Sequence, residues 1–387
     1  MIDLFQPQVG DAELAAVADV FNSKWLGHGR RAEAFESEFA DHIGVPAGTM
    51  LFLGSATAGI FLAMEALELR EGDEVILPSP SFVAVANAIA SCGARPVFCD
   101  VDPATQNPGV EDVRRATTPR TRAVVMLHYG GCPGDIVGIA DHCRTAGLTL
   151  IEDCAVSPAS RVDGRAVGSF GDFAVWSFHA TKVMTTGDGG MLRVGDPELA
   201  TRVRRLAYHG LAQPTQLGFA RVSSRWWEMD VPEIGRREIG NDLTAAIGRV
   251  QLRRMPAFVA RRGEVVAGYD RELGGVEGLT LPPPLPAGHE SSYSYYWVRM
   301  DPAIREAVAG ELLAAGIYTS FRYAPLHRLP AYRSEGLVLP GVDRAAEETL
   351  CLPLHPGLSD ADVVTVATAL RKAVASRSAA SAASTRS

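Results

Sequence analysis

Lysine is almost absent from this chain of 387 residues: Lys24, Lys182 and Lys372 are its three lysines, and the other 34 basic residues are arginines. A lysine kept in such a sequence is a candidate for chemistry that needs an amine. Lys182 is the central one, and glycines and hydroxyl side chains surround it in the segment 177–190. Because a neutral lysine amine attacks carbonyl carbons, Lys182 is the candidate nucleophile. A salt-bridged surface lysine is the alternative.

Other absences exclude whole classes of protein. The net charge of −8 leaves no basic excess, and nucleic-acid binding needs clustered basic residues. No run reaches about 18 uninterrupted apolar residues, and no basic segment followed by an apolar run opens the sequence, so we expect neither a membrane span nor a signal peptide. The six cysteines form no C-x-x-C pair. We therefore expect reduced thiols, a cytoplasmic protein and no metal site.

Short apolar runs rich in Val, Ile and Leu alternate with helical stretches between residues 50 and 180. The predicted strands are 50–53, 73–78, 95–101, 122–128, 148–153 and 173–178. The predicted helices between them are 57–69, 81–92, 110–116 and 135–146. Nearly continuous apolar strands between helices are typical of a parallel sheet covered on both faces. The pattern predicts an α/β fold with a mostly parallel central sheet.

The later part of the chain has a different character. Helical patterns cover about 195–250, and 256–375 is mixed, with a proline-rich break at 282–286. We predict a large domain over 1–250 and a smaller α+β domain over 251–375. The last residues, 376–387, are only Ala, Ser, Thr and Arg, and such a segment cannot bury apolar surface. We expect a disordered tail there.

Polar residues follow several of the predicted strands. Ligands of parallel sheets bind beyond the carboxyl ends of the strands, and Asp153, Ser177 and the turn 54–57 all lie at such ends. Since side chains alternate along a strand, Glu152 and Asp153 should face opposite sides of the sheet. A carboxylate pointing into a pocket suits a pyridinium nitrogen, which it keeps protonated. A helix cap or a surface carboxylate is the alternative for Asp153.

The turn 54–58 joins a predicted strand to a helix. Backbone N–H groups at a helix N-terminus, together with the hydroxyls of Ser55 and Thr57, can bind phosphate. The same hydroxyls also serve as ordinary helix caps. Phe82 follows the turn 78–81 and can either stack on a flat cofactor or pack in the core.

These segments together resemble the DegT/DnrJ/EryC1/StrS family of pyridoxal-phosphate-dependent sugar aminotransferases. The most specific similarity is Ser177-Phe-His-Ala-Thr-Lys182 followed by Gly187-Asp-Gly-Gly190. The similarity extends over most of the chain, in the segments 25–29, 54–59, 72–78, 151–153, 168–172, 241–252, 323–327 and 352–357.

The resemblance implies an aspartate-aminotransferase-like fold, pyridoxal-phosphate fold type I. It implies transfer of an amino group from a donor such as L-glutamate to a nucleotide-linked keto-sugar, by a homodimer with active sites at its interface. Lys182 would form the Schiff base with pyridoxal 5'-phosphate, and Asp153 would pair with the pyridinium nitrogen. The residues implied to hold the cofactor's phosphate and ring are Ser55, Thr57, Ala58, Phe82 and Ser177.

The chain departs from the family pattern at two positions. Val156 stands where Gln or His usually lies beside the cofactor. Arg237 stands where an Asn or Lys commonly reaches the phosphate of the neighbouring subunit. Two further residues, Arg322 and His327, are candidates for substrate contact. An exposed salt-bridged arginine and a structural histidine are the alternatives for these two.

Three other functions stay open at this point. A cyclitol aminotransferase acting on keto-inositols would share the fold and the chemistry. A pyridoxal-phosphate-binding regulatory protein without turnover is the alternative that Val156 favours. A DNA-binding regulator is disfavoured by the acidic charge and by the lack of a helix-turn-helix pattern.

Overall fold

A computed structural model describes residues 1–212 and 229–384, with side chains up to residue 377. The described strands are β1 (Met50–Leu53), β2 (Glu74–Pro78), β3 (Arg95–Cys99), β4 (Thr121–Leu127), β5 (Thr149–Asp153), β6 (Arg161–Val162), β7 (Arg165–Ala166), β8 (Phe173–Ser177), β9 (Gly190–Val194), β10 (His289–Glu290), β11 (Tyr296–Arg299) and β12 (Thr349–Leu352). The described helices are α1 (Asp11–Ser23), α2 (Arg30–Ile43), α3 (Ala56–Ala66), α4 (Val83–Ser91), α5 (Val110–Ala116), α6 (Ile136–Ala146), α7 (Pro197–Leu206), α8 (Asp242–Leu273), α9 (Pro302–Ala314), α10 (Pro340–Glu348) and α11 (Asp360–Ser384).

The central sheet has seven strands in the order β1-β9-β8-β5-β4-β2-β3. Of these seven, β9 alone runs against the others, since it pairs antiparallel with both β1 and β8. The predicted α/β fold is confirmed, and six of the strands match the sequence prediction to within two residues at each end. Strand β9 is not among the predicted strands, and it begins at Gly190, the last residue of the glycine-rich segment 187–190.

Both faces of this sheet are covered by helices. Neighbouring residues of one strand enter different cores, as alternation requires: Val175 packs in the cluster with α3, α4 and α7, and Trp176 packs in the cluster with α2, α5, α6 and α8. Burial of the strands on both sides leaves their carboxyl ends as the place where polar side chains can collect.

A smaller region follows the sheet. Strands β11 and β12 pair antiparallel and pack with α9, α11 and the second half of α8. The boundary predicted at residue 250 falls inside α8, whose Ala245 packs against the large sheet and whose Val265 packs in the small core. The division into two domains stays a prediction, with one helix shared by both parts.

The end of the chain differs from expectation. Helix α11 continues to Ser384, so helical backbone stands over most of the stretch 376–387 that we expected to be disordered. Alanine has the highest helix propensity, and the seven alanines and serines in a row at 378–384 extend an already packed helix at little cost. Residues 385–387 lie outside the described residues. In the two described ranges, no helix combines the length and apolar character needed to cross a bilayer.

Candidate active site

A cavity of about 300 Å³ lies beyond the carboxyl ends of the central strands. It collects seven of the ten residues that the sequence singled out. These are Ser55, Thr57, Phe82, Asp153, Ser177, Lys182 and Arg322. Residues more than 250 positions apart in the chain therefore share one small volume, as the positions at strand ends predicted.

Asp153 forms one wall of the cavity, and the register of the sheet fixes its position. It ends β5 and pairs with Leu127 of β4 and Val175 of β8. The residue is only 5% exposed, and its Oδ1 accepts the N–H of Ala155 at 3.0 Å. Burial raises the pKa of the carboxyl group, while the N–H of Ala155 and the positive charge of Lys182 oppose that rise. A cationic ring nitrogen placed here would favour the carboxylate further.

Lys182 faces Asp153 from the turn that follows β8. Its backbone N–H donates to the carbonyl of His179 at 2.9 Å, which tightens the turn beneath the side chain. Burial lowers the pKa of the Lys182 amine to about 8, Asp153 partly reverses this shift, and the charge of Arg322 adds to it. A substantial share of the amine is therefore neutral near physiological pH, as a nucleophile or a general base requires.

The start of α3 provides an anion site on another wall. Ser55 caps this helix, and its Oγ accepts the N–H of Ala58 at 3.1 Å. In the described ranges the N–H groups of Ala56 and Thr57 donate to no protein acceptor, so they stay available to a phosphate. The first residue of β9 closes this wall: a Cβ on Gly190 would lie 2.4 Å from the nitrogen of Ala56.

Two aromatic residues flank the open side of the cavity. Phe82 directly precedes α4, and it is 54% exposed although it is a large apolar side chain. Its ring centroid lies 6.2 Å from that of Tyr323, whose hydroxyl is 2.8 Å from that of Tyr295. An exposed phenyl ring at a cavity edge is suited to covering the face of a planar ligand.

Three sequence candidates do not line the cavity. Ala58 is buried in α3, and only its backbone takes part in the helix start. His327 is buried elsewhere, with its Nδ1 2.7 Å from the Ser79 hydroxyl and its Nε2 3.6 Å from Asp343. His327 therefore lies outside this cavity, because the turn that carries it is held against the end of β2, and its contact with the acceptor stays a prediction. Burial lowers its pKa.

Arg237, the third, is exposed on the surface. Its guanidinium lies 5.5 Å from the ring centroid of Tyr208, and its backbone forms an isolated bridge with that residue. No contact among the described residues places it at the cavity. Its contact with a phosphate of a neighbouring subunit stays a prediction.

Val156 lies between the cavity and a small apolar core. It is 1% exposed and belongs to a small core with Leu127, Tyr129 and Tyr295. A residue that could hydrogen-bond to a ligand is thus replaced by one that packs against aromatic rings.

Four polar residues that line the cavity were not among the sequence candidates: His179, Thr181, Asp188 and Tyr323. The Nδ1 of His179 lies 3.0 Å from the Thr181 hydroxyl, next to the backbone of the Lys182 turn. Both residues lie inside the segment 177–182, so their closeness to the lysine was available as a signal. Tyr323 adjoins Arg322 in sequence and carried the same signal.

A second polar cluster lies on the opposite face of β5. Ligating atoms of His128, Glu152 and Cys154 lie within 4.8 Å of one another. The Glu152 oxygens, however, accept N–H groups of the loop 168–171 at 2.6–2.8 Å. This carboxylate is therefore engaged in holding the loop, and we do not assign a metal to it.

Comparison with known proteins extends the likeness to nearly the whole chain. A model of the DegT/DnrJ/EryC1/StrS aminotransferase family matches residues 7–371. The chain is 56% identical over 374 residues to dTDP-4-dehydro-2,3,6-trideoxy-D-glucose 4-aminotransferase of Saccharopolyspora spinosa, covering 97% of each sequence.

Solved structures agree with this result. The aminotransferase TlmJ of Streptoalloteichus hindustanus has a TM-score of 0.93 at 56% identity, covering 98% of this chain and 100% of that one. The PLP form of the putative sugar aminotransferase Spr1654 of Streptococcus pneumoniae has a TM-score of 0.87 at 26% identity, covering 97% of this chain and 99% of that one.

Proposed function

This chain belongs to the DegT/DnrJ/EryC1/StrS aminotransferase family and is an aminotransferase, and we propose that it uses pyridoxal 5'-phosphate to move an amino group from L-glutamate, or a similar amino acid, to a keto-sugar linked to a nucleotide. The observation that carries the proposal is the position of Lys182 opposite Asp153 across one cavity. The relative from S. spinosa supports a dTDP-bound 4-keto-deoxysugar as the acceptor.

The donor set of the cavity fits this cofactor. An amine for covalent attachment, a buried carboxylate for the ring nitrogen and free N–H groups at a helix start for the phosphate border the same space. When bound, pyridoxal phosphate supplies an aldehyde that accepts the amino group and a protonated ring that withdraws electrons from the reacting carbon. We propose Lys182 for the aldehyde, Asp153 for the ring nitrogen and the Ser55–Ala58 turn with Ser177 for the phosphate.

Lys182 has two tasks in this proposal. Its amine would hold the cofactor, and the same amine, when free, would take the proton from the donor's α-carbon and deliver it to the aldehyde carbon of the cofactor. A pKa of about 8 suits both directions, because the group is readily protonated and deprotonated near neutral pH. The acceptor sugar is aminated by the same proton movements in reverse.

The other cavity residues orient the reaction. Asp153 would keep a proton on the ring nitrogen, and its burial would keep water away from that hydrogen bond. Phe82 would cover one face of the ring, and Ser55, Thr57 and Ser177 would hold its phosphate end. With the phosphate held, the reacting carbon stays within reach of Lys182 during both half-reactions.

We further propose a cytoplasmic homodimer with active sites at its interface. Large apolar side chains of the described surface support an interface: Trp25, Leu26 and Ile234 are exposed, the last of them by 96%. Arg237 is exposed close to Ile234 in sequence, and in the dimer it would reach the phosphate of the neighbouring subunit. The six cysteines are free thiols, which supports a reducing compartment.

The experiment that tests the function is an acceptor panel. The purified protein is loaded with pyridoxal phosphate, mixed with L-glutamate and offered dTDP-linked 4-keto-deoxysugars, other nucleotide keto-sugars and keto-inositols, and the products are read by mass spectrometry. We expect an aminated nucleotide sugar and an equal amount of 2-oxoglutarate. Amination of keto-inositols alone would favour a cyclitol aminotransferase. If none of the amino acids tested converts the bound cofactor, the result would favour a binding protein without turnover.

A further inference from the structure

We propose that Arg322 binds a carboxylate of the amino-acid donor, and that this contact makes the site select amino acids as donors. The proposal rests on the proposed function and assigns one substrate group to one side chain. It begins from the position of Arg322 beside Lys182 in the cavity and from its lack of a carboxylate partner.

The position of Arg322 places its charge beside the reacting lysine. Arg322 and Lys182 border the same cavity, and the guanidinium is close enough to lower the pKa of the lysine amine. When Lys182 is protonated, the two cations repel one another in a partly closed space. A negatively charged substrate group between them removes that repulsion, so the pair favours an anion that sits within reach of Lys182.

Arg322 differs from the nearby Arg328 in its ion pairs. Arg328 lies in the next turn and contacts Asp343 and Glu347. Within the described ranges Arg322 has no carboxylate within 4.0 Å, and its guanidinium instead lies 4.8 Å from the ring centroid of Phe5. A half-buried guanidinium without an anion keeps several N–H donors for a ligand.

The cavity offers Arg322 no internal anion to take that role. Its two acidic lining residues are Asp153 and Asp188. Asp153 accepts from Ala155 and faces Lys182, and neither carboxylate reaches the guanidinium. The planar guanidinium therefore stays available for the two-pronged contact that arginine makes with a carboxylate.

The distance from the reacting carbon separates the two candidate anions. In an α-amino acid the carboxylate is bonded directly to the carbon that reacts at Lys182. In a nucleotide sugar aminated at a ring carbon, the diphosphate is separated from that carbon by part of the sugar ring. An arginine adjacent to Lys182 thus matches the donor's carboxylate, and a contact with the acceptor's diphosphate becomes an alternative outcome of the test.

The test separates the two half-reactions. The donor half-reaction is followed by stopped-flow through the visible absorption of the loaded protein, with L-glutamate in one arm and, in the other, the protein's own aminated nucleotide sugar, which carries no carboxylate. The variants are Arg322→Gln, Arg322→Lys and the control Arg328→Gln. Binding of glutarate, which has carboxylates and no amine, is measured by calorimetry on the same proteins.

We expect Arg322→Gln to lower kcat/KM for glutamate by about 100-fold or more and to weaken glutarate binding comparably, because a charge-assisted contact is lost. The rate with the amino-sugar should stay within a few-fold, Arg322→Lys should recover part of the loss, and Arg328→Gln should match the wild type. Equal losses with glutamate and the amino-sugar would overturn the assignment, since they would show an effect on Lys182 itself. A loss confined to the amino-sugar would place Arg322 at the diphosphate and would also overturn it.

Folding and function are controlled separately. If Arg322→Gln does not fold, Arg322→Lys carries the test: lysine keeps the charge without the two-pronged contact, so glutarate should bind about 10-fold more weakly, and unchanged binding would overturn the proposal. A wild-type protein that reacts with no amino acid would refute the proposed function. If the wild type reacts with glutamate and Arg322→Gln reacts equally well, only the role of Arg322 would be refuted.

Discussion

Glu152 and Asp153 are neighbours in β5, yet their side chains lie on opposite faces of the central sheet. The Glu152 carboxylate is completely buried and holds the loop 168–171 through three backbone N–H groups. The Asp153 carboxylate faces the cavity and Lys182. Two chemically similar residues are thereby assigned separate tasks by the alternation of a strand: one stabilises the fold, and the other is free to act on a ligand.

Replacing Asp153 by Asn should change the pH dependence of cofactor attachment. In the wild type, covalent attachment of pyridoxal phosphate needs neutral Lys182, so its rate should rise with pH and level off above about 8. The negative charge of Asp153 raises the pKa of Lys182, so its removal should lower that pKa and move the midpoint to lower pH. The donor half-reaction should slow by about 100-fold or more, because the ring nitrogen loses its carboxylate.

The control for this variant is Asp188→Asn, which removes the other carboxylate of the cavity. Attachment is measured as the rate of the visible absorbance change at a series of pH values. A midpoint that stays fixed or rises in Asp153→Asn would show that this carboxylate does not act on Lys182.

Replacing Glu152 by Ala should destabilise the fold without direct action on the cavity. The substitution leaves the N–H groups of Gly168, Phe170 and Gly171 without their acceptor in a buried place. At roughly 1–3 kcal/mol for each buried group left unpaired, we expect a loss on the order of 3 kcal/mol or more in the free energy of unfolding. Urea titration measures it, and the exposed Glu111→Ala serves as the control, with a change below about 1 kcal/mol. A near-zero effect would mean that the loop finds other acceptors.

Local patterns in the sequence were enough to predict the scaffold of the site. The run 148–153 has apolar residues at 148, 150 and 151 and ends in two carboxylates, and this places a carboxylate at a strand end wherever the strand is located. Ser55 likewise caps its helix through a bond over three residues, which short-range chemistry determines. Such features depend on neighbours in the chain, so composition and periodicity reveal them.

Features that depend on distant segments were not predictable in the same way. His327 belongs to a motif, but its position follows from a contact with Ser79, 248 residues away. The hydroxyl pair of Tyr295 and Tyr323 and the place of β9 between β1 and β8 also arise only when the chain is folded. The predicted contact of Arg237 is still less accessible from local sequence patterns, because its partner is a phosphate bound to a second chain.

Val156 should accept a glutamine. The valine borders the cavity on one side and packs against Tyr129 and Tyr295 on the other, so a longer side chain can extend its amide into the cavity. We expect Val156→Gln to attach pyridoxal phosphate as the wild type does and to lose about 1 kcal/mol of stability or less, since part of the apolar contact is kept. Absorbance titration and thermal unfolding check both values. Loss of cofactor attachment would show that the valine supports the aromatic cluster behind it, and Val156→Ile, which keeps an apolar surface, is the matched comparison.

Lys182→Ala should abolish covalent attachment of pyridoxal phosphate and reduce amino transfer by several powers of ten, because both the attachment point and the proton carrier are removed. Borohydride reduction of the loaded wild type should fix the cofactor to the peptide that contains position 182, which peptide mass spectrometry detects. Lys372→Ala is the matched control, since Lys372 is exposed on α11 and is one of the two other lysines of the chain. With so few lysines the assignment has little ambiguity. Label on the peptide of Lys24 or Lys372, or on no peptide, would show that Lys182 does not bind the cofactor covalently.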